Sequence, residues 1–222
     1  MQLVYSLVAL FISYLIGSIP FGLLIVKLST GKDIRHVESG RTGGTNAMRA
    51  AGFWAGLSTA VLDIIKSAST VWLTRWLIDL KLLPDSPWLV MLAPICAIIG
   101  HNYSIFLAER TEGGKVRLRG GAGGTPAVGG AFGLWAPSLI ITVVIGILLL
   151  FGVGYASLAT LSVGLVSAII FAYRAWIGAS PWEYVLYGLI SFALLAWALR
   201  PNIKRLLNGT ERLIGWRARQ KK

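Results

Sequence analysis

Four stretches of this chain carry no aspartate, glutamate, lysine or arginine: 3–26, 86–108, 120–173 and 184–199. About 20 apolar residues suffice for a helix to cross the hydrocarbon core of a bilayer. Inside that core the backbone polar groups must be satisfied within the segment itself, which selects helices. The pattern therefore predicts an all-α polytopic membrane protein, with residues 1–222 forming a single integral membrane domain. A composition of 55% hydrophobic and only 14% charged residues agrees. The first run is not expected to be a leader peptide, because residues 1–5 carry no basic charge and no small-residue cleavage site follows. Cys96 is the single cysteine and lies in an apolar segment, so neither a disulfide nor a thiolate metal site is expected.

The formal net charge of +12 raises nucleic acid as a partner, but the distribution of the charge speaks for a membrane. Basic residues gather at Lys27–Arg49, at Arg110–Arg119, and in the tail 200–222. Short Lys/Arg-rich loops stay on the cytoplasmic side, and a basic tail can hold anionic lipid head groups. The N-terminus, with no basic residue before Lys27, is predicted outside. The glycine-rich basic loops 27–52 and 109–125 and the tail 200–222 are predicted in the cytoplasm. A second span is expected at about 53–78, an outer loop near Asp79–Pro87, and a third span at 88–107. Residues 126–199 must then cross an even number of times, as two crossings with a re-entrant piece or as four short helices broken at Gly152, Gly154, Gly164 or Gly178. The total is five or seven spans, with the C-terminus inside and all the basic loops on one face.

The loop "SGRTGGTNAMRAAG" (39–52) has the chemistry of an anion cradle. Glycines allow close backbone approach, and successive N–H groups form nests for phosphate or carboxylate. "TNAMRAAG" reads as a helix start with Thr45 or Asn46 as N-cap, and anions bind well at helix N-termini. Ser39, Gly40, Gly43, Gly44, Thr45 and Asn46 would supply donors, and Arg49 a charged fork. The plainer alternative is a glycine-rich turn between spans. No Gly-Lys-Ser/Thr follows the glycines, so this is not a Walker A loop. In the second loop, Gly113-Gly114-Lys115 and Gly120–Gly124 again set backbone donors beside basic side chains. His101 sits near the inner end of the third span, either as a structural hydrogen-bonder or as part of the site. Asp63 and Lys66, three residues apart in the second span, are positioned to pair, or Lys66 reaches toward the interface. In "LRPNIKRLLNGTE" (199–211), Asn202 is placed to reach a polar substrate. The rest of that segment reads as a basic amphipathic helix with Ile203, Leu206 and Leu207 in the membrane surface. With only His36 and His101 available, no Ser-His-Asp arrangement is readable, and neither a metal nor a cofactor is expected. Such parts act by positioning and by electrostatic stabilisation of anionic substrates.

The successive segments "YLIGSIPFGLLIVK" (14–27), "DIR" (33–35), "SGRTGGTNAMRAAG", "DIIKS" (63–67), "GHNYSIF" (100–106) and "NIKRLLNGTE" (202–211) resemble, in order and over nearly the whole chain, the bacterial acyl-phosphate:glycerol-3-phosphate acyltransferases. The resemblance implies seven spans in the bacterial inner membrane and an active site facing the cytoplasm. The implied reaction moves a fatty acyl group from acyl phosphate to the 1-hydroxyl of glycerol 3-phosphate, giving lysophosphatidic acid. By resemblance, Ser39, Gly40, Gly43, Thr45, Asn46 and Arg49 bind phosphate, while His101 and Asn202 line the site. His101, Asn202 and Ser39 are the residues expected to take part in the chemistry. Arg41, Gly44, Lys115, Gly120 and Gly121 complete the expected binding set. The implied partners are the two substrates and membrane lipids, with a monomeric enzyme and no nucleic acid. The sequence departs from the family pattern at four places. Arg41 stands where the family has Asn, Gly44 where it has Ala, Ala122 where it has the Lys of Gly-Gly-Lys-Gly, and Leu199 where it has His. Lys115, Arg117, Arg119 and Arg41 are candidates to replace the lysine. Ala122 and Leu199 leave open a changed donor or acceptor on the same fold, and a membrane organic-phosphate transporter or binding protein is the alternative from another class.

Overall fold

The computed structural model describes residues 1–213; the remainder of the basic tail, 214–222, lies outside the described residues. Helices α1 (Gln2–Ser18) and α2 (Phe21–Thr30) form one 29-residue apolar rod interrupted at Ile19–Pro20. Pro20 has no N–H to continue the helical ladder, which explains the interruption. There follow α3 (Gly44–Ala51), α4 (Phe53–Asp79), α5 (Pro87–Asn102), a β1 (Ser104–Arg110)–β2 (Val116–Arg119) hairpin, α6 (Gly124–Leu134), α7 (Ser138–Gly152), α8 (Ala156–Trp176) and α9 (Glu183–Leu207). Among the described residues, the α1–α2 rod, α8 and α9 are long and apolar enough to cross a membrane, while α5 and α7 are shorter apolar helices. Helix α4 has the length, but Asp63, Lys66 and Arg75 interrupt its apolar character.

Small residues let these helices approach closely, the packing mode expected where lipid leaves no hydrophobic drive between helices. Gly17 of α1 lies against the Ala97 backbone of α5, and Gly100 against Tyr14 and Ser18. Gly164 of α8 meets Phe192 of α9, and Gly188 of α9 meets Ala168. Gly129 and Gly133 seat α6 on Ile64 and Val71 of α4. Arg75 of α4 donates to Gly133 O and Leu134 O, each at 3.0 Å, satisfying carbonyls that the end of α6 leaves open. The core runs through Val71, Met91, Ile98, Ala127, Phe171, Tyr187 and Leu195. The buried Tyr187 hydroxyl donates to Ala127 O at 2.6 Å. Large apolar residues face outward instead, among them Leu7, Phe11, Ile140, Leu148, Ile169, Trp176 and Trp197. An outer surface of this kind suits lipid rather than water.

Several expectations are corrected. The chain is mostly helical but not all-α: the span expected at 88–107 ends at Asn102, and Ser104–Arg110 pairs antiparallel with Val116–Arg119. The cause is local, since Tyr103 leaves the helical conformation at φ −133°, ψ 68° and Ser104 Oγ donates to Ser18 O at 2.6 Å, turning the chain along α1. The region 126–199 does contain helices separated near Gly152–Gly154 and at Gly178, with Gly154 and Gly178 at positive φ. Gly164 is no break point but a packing contact inside α8. The additional break falls at Trp135–Pro137. Residues 199–207 are the last turns of α9, continuing through Pro201, and Leu207 is turned outward.

The ends of α5 and α9 and the starts of α3, α6 and α8 gather around one space at the same end of the bundle. The glycine-rich loops meet there.

Candidate active site

The loop 33–43 is shaped from within. The Asp33 side chain accepts from Arg35 N at 2.9 Å and pairs with the Arg35 guanidinium at 2.6 Å. That charge-assisted bond holds the Asp33 carboxyl down at about 2, against its ordinary 3.8, and raises the Arg35 guanidinium above its usual value. Arg35 also reaches Glu109 of β1 at 2.7 Å, and Glu109 holds Arg119 of β2 at 2.8 Å, so one acidic chain ties loop and hairpin together. The Asn46 amide donates to Ile34 O, Val37 O and Arg41 O at 3.3, 3.0 and 2.8 Å. Asn46 therefore folds the cradle; its donors do not face a ligand.

Helix α3 begins at Gly44 with Gly43 as the cap residue and no side-chain cap bond. Neither Thr45 nor Asn46 is the N-cap. The N–H groups of Asn46 and Ala47 bond Gly43 O, whereas among the described residues none accepts from the N–H of Gly44 or Thr45. These are two of the open donors of a helix N-terminus. They border a cavity of about 380 Å³ whose wall holds Ser39, Arg41, Gly43, Gly44, Thr45, Asn46 and Arg49. His101 and Asn202 stand in the same wall, as do Ala122 and Leu199. The start of α8 contributes Ser157 and Thr160, and Ala60 and Ala156 make one side small and apolar.

Arginines dominate the charge. Arg41, half-buried, donates to Ala198 O of α9 at 2.5 Å; burial first, and the nearby Arg205 second, lower its pKa. Arg49, Arg205 and Arg212 complete the basic lining. Glu211 accepts from Asn202 Nδ2 at 2.8 Å and pairs with Arg205 at 3.1 Å, folding the chain after α9 back over the site. Glu38 of the first loop pairs with Arg212 across the mouth.

A second cavity, about 660 Å³, shares Glu38, Ser39, Arg41, Asn202 and Arg205 with the first. Gly40, Arg117, Arg119, Gly120 and Gly121 belong to this second space. Gly120 and Gly121 are also needed for room, since a Cβ on Gly121 would overlap the His101 ring and one on Gly120 would overlap His101 O. Lys115 is in neither cavity: it sits exposed at the turn of the hairpin, where its carbonyl accepts from Thr111 N at 2.9 Å.

Behind the site, the pairing read from the spacing of Asp63 and Lys66 is present, with Lys66 Nζ 2.7 Å from Asp63 Oδ1. Both side chains are buried, so Lys66 does not reach the interface. Lys66 Nζ is also 3.0 Å from His101 Nδ1, a contact that spacing alone does not reveal. Sequence reasoning also missed Glu38, Ser157, Thr160, Arg205 and Glu211. Ser157 and Thr160, polar residues one turn apart at the start of an apolar helix, were the available signal for two of them.

Comparison with known proteins follows the same line. The family model described as "Glycerol-3-phosphate acyltransferase" matches residues 7–209. Glycerol-3-phosphate acyltransferase 2 of Moorella thermoacetica is 34% identical over 96% of this chain and 99% of its own length. The glycerol-3-phosphate acyltransferase of a Thermus thermophilus strain is 34% identical over 94% of this chain and 95% of its own. The crystal structure of PlsY (YgiH), an integral membrane glycerol 3-phosphate acyltransferase, in its glycerol 3-phosphate form, superposes with a TM-score of 0.75. It is 29% identical and covers 95% of this chain and 96% of that one.

Proposed function

The chain belongs to the glycerol-3-phosphate acyltransferase family and is a membrane-bound acyltransferase; from that premise we propose that it transfers a fatty acyl group from acyl phosphate to the 1-hydroxyl of glycerol 3-phosphate. The hydroxyl oxygen bonds to the acyl carbon, the acyl–phosphate bond breaks, and the departing phosphate takes the hydroxyl proton. The products are lysophosphatidic acid and inorganic phosphate. The observation that carries this reading is the cavity in which Arg41, Arg49, Arg205 and Arg212 surround the open N–H groups of Gly44 and Thr45. It is a site for phosphate oxygens beside a small apolar wall suited to an acyl chain. The two solved relatives are described as glycerol 3-phosphate and lysophosphatidic acid forms, which agrees with the proposed acceptor and product.

Within this reading Arg49, Ser39 and the α3 start hold a phosphate, and His101 and Asn202 line the reacting centre. Arg41, which borders both cavities, is the best placed of the candidates to take the part of the missing lysine. Arg117 and Arg119 border only the second cavity, and Lys115 neither. Catalysis is by positioning and charge stabilisation, with no enzyme nucleophile. Seven spans, an external N-terminus, a cytoplasm-facing site in the bacterial inner membrane and a monomeric state complete the proposal. The gathering of the basic loops at one end of the bundle supports that orientation. Labelling of single cysteines placed at Asp85 and Thr111, after removal of Cys96, should find them on opposite faces.

Purified protein in detergent, given acyl phosphate and glycerol 3-phosphate, should release phosphate and form lysophosphatidic acid; no product above background sinks the proposal. Because Ala122 and Leu199 both line the first cavity, a changed acceptor or donor is the second reading. It predicts that another phosphorylated alcohol or acyl donor outruns these two in the same assay.

A further inference from the structure

Lys66 has three hydrogens on its ammonium, and three acceptors surround it. Asp63 Oδ1 lies at 2.7 Å, Ile19 O at 2.9 Å and His101 Nδ1 at 3.0 Å. The Ile19 carbonyl is within reach because the first rod breaks at Pro20. The Phe21 ring covers the ammonium at 5.6 Å. Asp63 is held from the other side by Thr125 of α6, whose hydroxyl donates to Oδ2 at 3.4 Å. The cluster is closed to water, with Lys66 4% and Asp63 0% exposed.

This arrangement decides which ring nitrogen of His101 carries hydrogen. A hydrogen on Nδ1 would point at an ammonium hydrogen across 3.0 Å. The Asp63 carboxylate, the other acceptor on that side of the ring, is 3.6 Å away, beyond a hydrogen bond. Nδ1 must therefore offer its lone pair, and in a neutral ring the hydrogen sits on Nε2. Nε2 is the atom beside the room left by Gly121, and His101 belongs to the wall of the first cavity. Among the described residues none accepts from Nε2.

We propose that Asp63 and Lys66 are positioning residues that lock His101 with its hydrogen on Nε2, so that His101 meets the substrates as a hydrogen-bond donor to a phosphate oxygen and not as a base. The logic is that of an outer partner fixing the tautomer of a working histidine. It rests on the phosphate-site reading above, although the ring's own state does not.

The chain has two histidines, so 15N-histidine labelling with His36→Asn leaves one ring to follow. The expected spectrum shows a protonated, pyrrole-type Nε2 and a bare, pyridine-type Nδ1 in the unliganded protein. The reverse pattern overturns the proposal without any variant at Lys66. Lys66→Met should let the two tautomers exchange, averaging the signals, and should lower kcat/KM about tenfold. An unchanged pyrrole-type Nε2 in a folded Lys66→Met protein refutes the lock. Glycerol 3-phosphate and a non-hydrolysable acyl phosphonate, titrated separately, should shift the Nε2 signal in at least one case, which also tells whose phosphate His101 faces. If neither moves it, the donor role is overturned while acyl transfer can still be measured.

Discussion

Two regions bring charge to the site, and they do so in opposite ways. The loop around Arg41 and Arg49 is open: its arginines border a cavity, and the first two N–H groups of α3 have no protein acceptor among the described residues. The Asp63–Lys66–His101 cluster is closed, with the Lys66 ammonium paired to Asp63 and within hydrogen-bond distance of Ile19 O and His101 Nδ1. Unsatisfied donors are tolerable where a ligand or water can reach them; in a dry helix interface they cost several kcal/mol. On the proposed function, the open donors are the groups that bind and the closed ones the groups that hold other residues in place.

The contrast is broken most severely from the closed side. Asp63→Ala leaves the Lys66 ammonium buried without its partner, and losing one half of a buried pair costs about 3–5 kcal/mol. A large fall in Tm of the detergent-purified protein is expected, and an unchanged Tm would mean the pair is not structural. Arg49→Ala should do the reverse, leaving Tm in place while kcat/KM for phosphate substrates falls by about 100-fold, the scale of one charge-assisted phosphate contact. Full activity in that variant removes the cradle assignment. Gly121→Ala tests the junction of the two regions, since the added methyl meets the His101 ring. Loss of activity of about tenfold with a modest fall in Tm is expected, and a silent substitution would show that the ring has room to move.

Smaller effects sharpen the picture at the loop's edge. Asp33 has its pKa lowered from 3.8 to about 2, so its contribution to stability is complete above pH 3.8 and is lost as pH falls through about 2. Between pH 4 and 2 the wild-type Tm should therefore fall slightly more than that of Asp33→Asn. The difference is about 1 kcal/mol at most, given the partial exposure of the pair, and parallel curves would show the bond to be idle. Lys115→Ala is expected to leave KM and kcat unchanged. A rise in KM would bring the hairpin tip into the site.

What was legible in the sequence follows from the same physics. Uncharged runs announced apolar helices because the bilayer interior permits so little else, and the α1–α2 rod and α9 cover the runs 3–26 and 184–199. The hairpin was not legible, because Ser104–Leu107 is as apolar as the helix before it and its strand character depends on pairing with Val116–Arg119. Within the site, the glycine and arginine spacing of 39–52 pointed to an anion cradle, yet Asn46 looked like a ligand and turned out to bond three loop carbonyls. The Asp63–Lys66 pair could be read from its spacing of three residues. Its approach to His101, 35 positions away from Lys66, depends on how α5 packs on α4, and a single sequence carries no pattern for that.

Helix α6 is fastened to α4 near both ends, by Thr125 to Asp63 at its start and by Arg75 to its final carbonyls. Eleven residues make it about 16 Å long, roughly half the depth of the hydrocarbon core. The two helices are therefore splinted to each other, side by side, over the whole length of the shorter one.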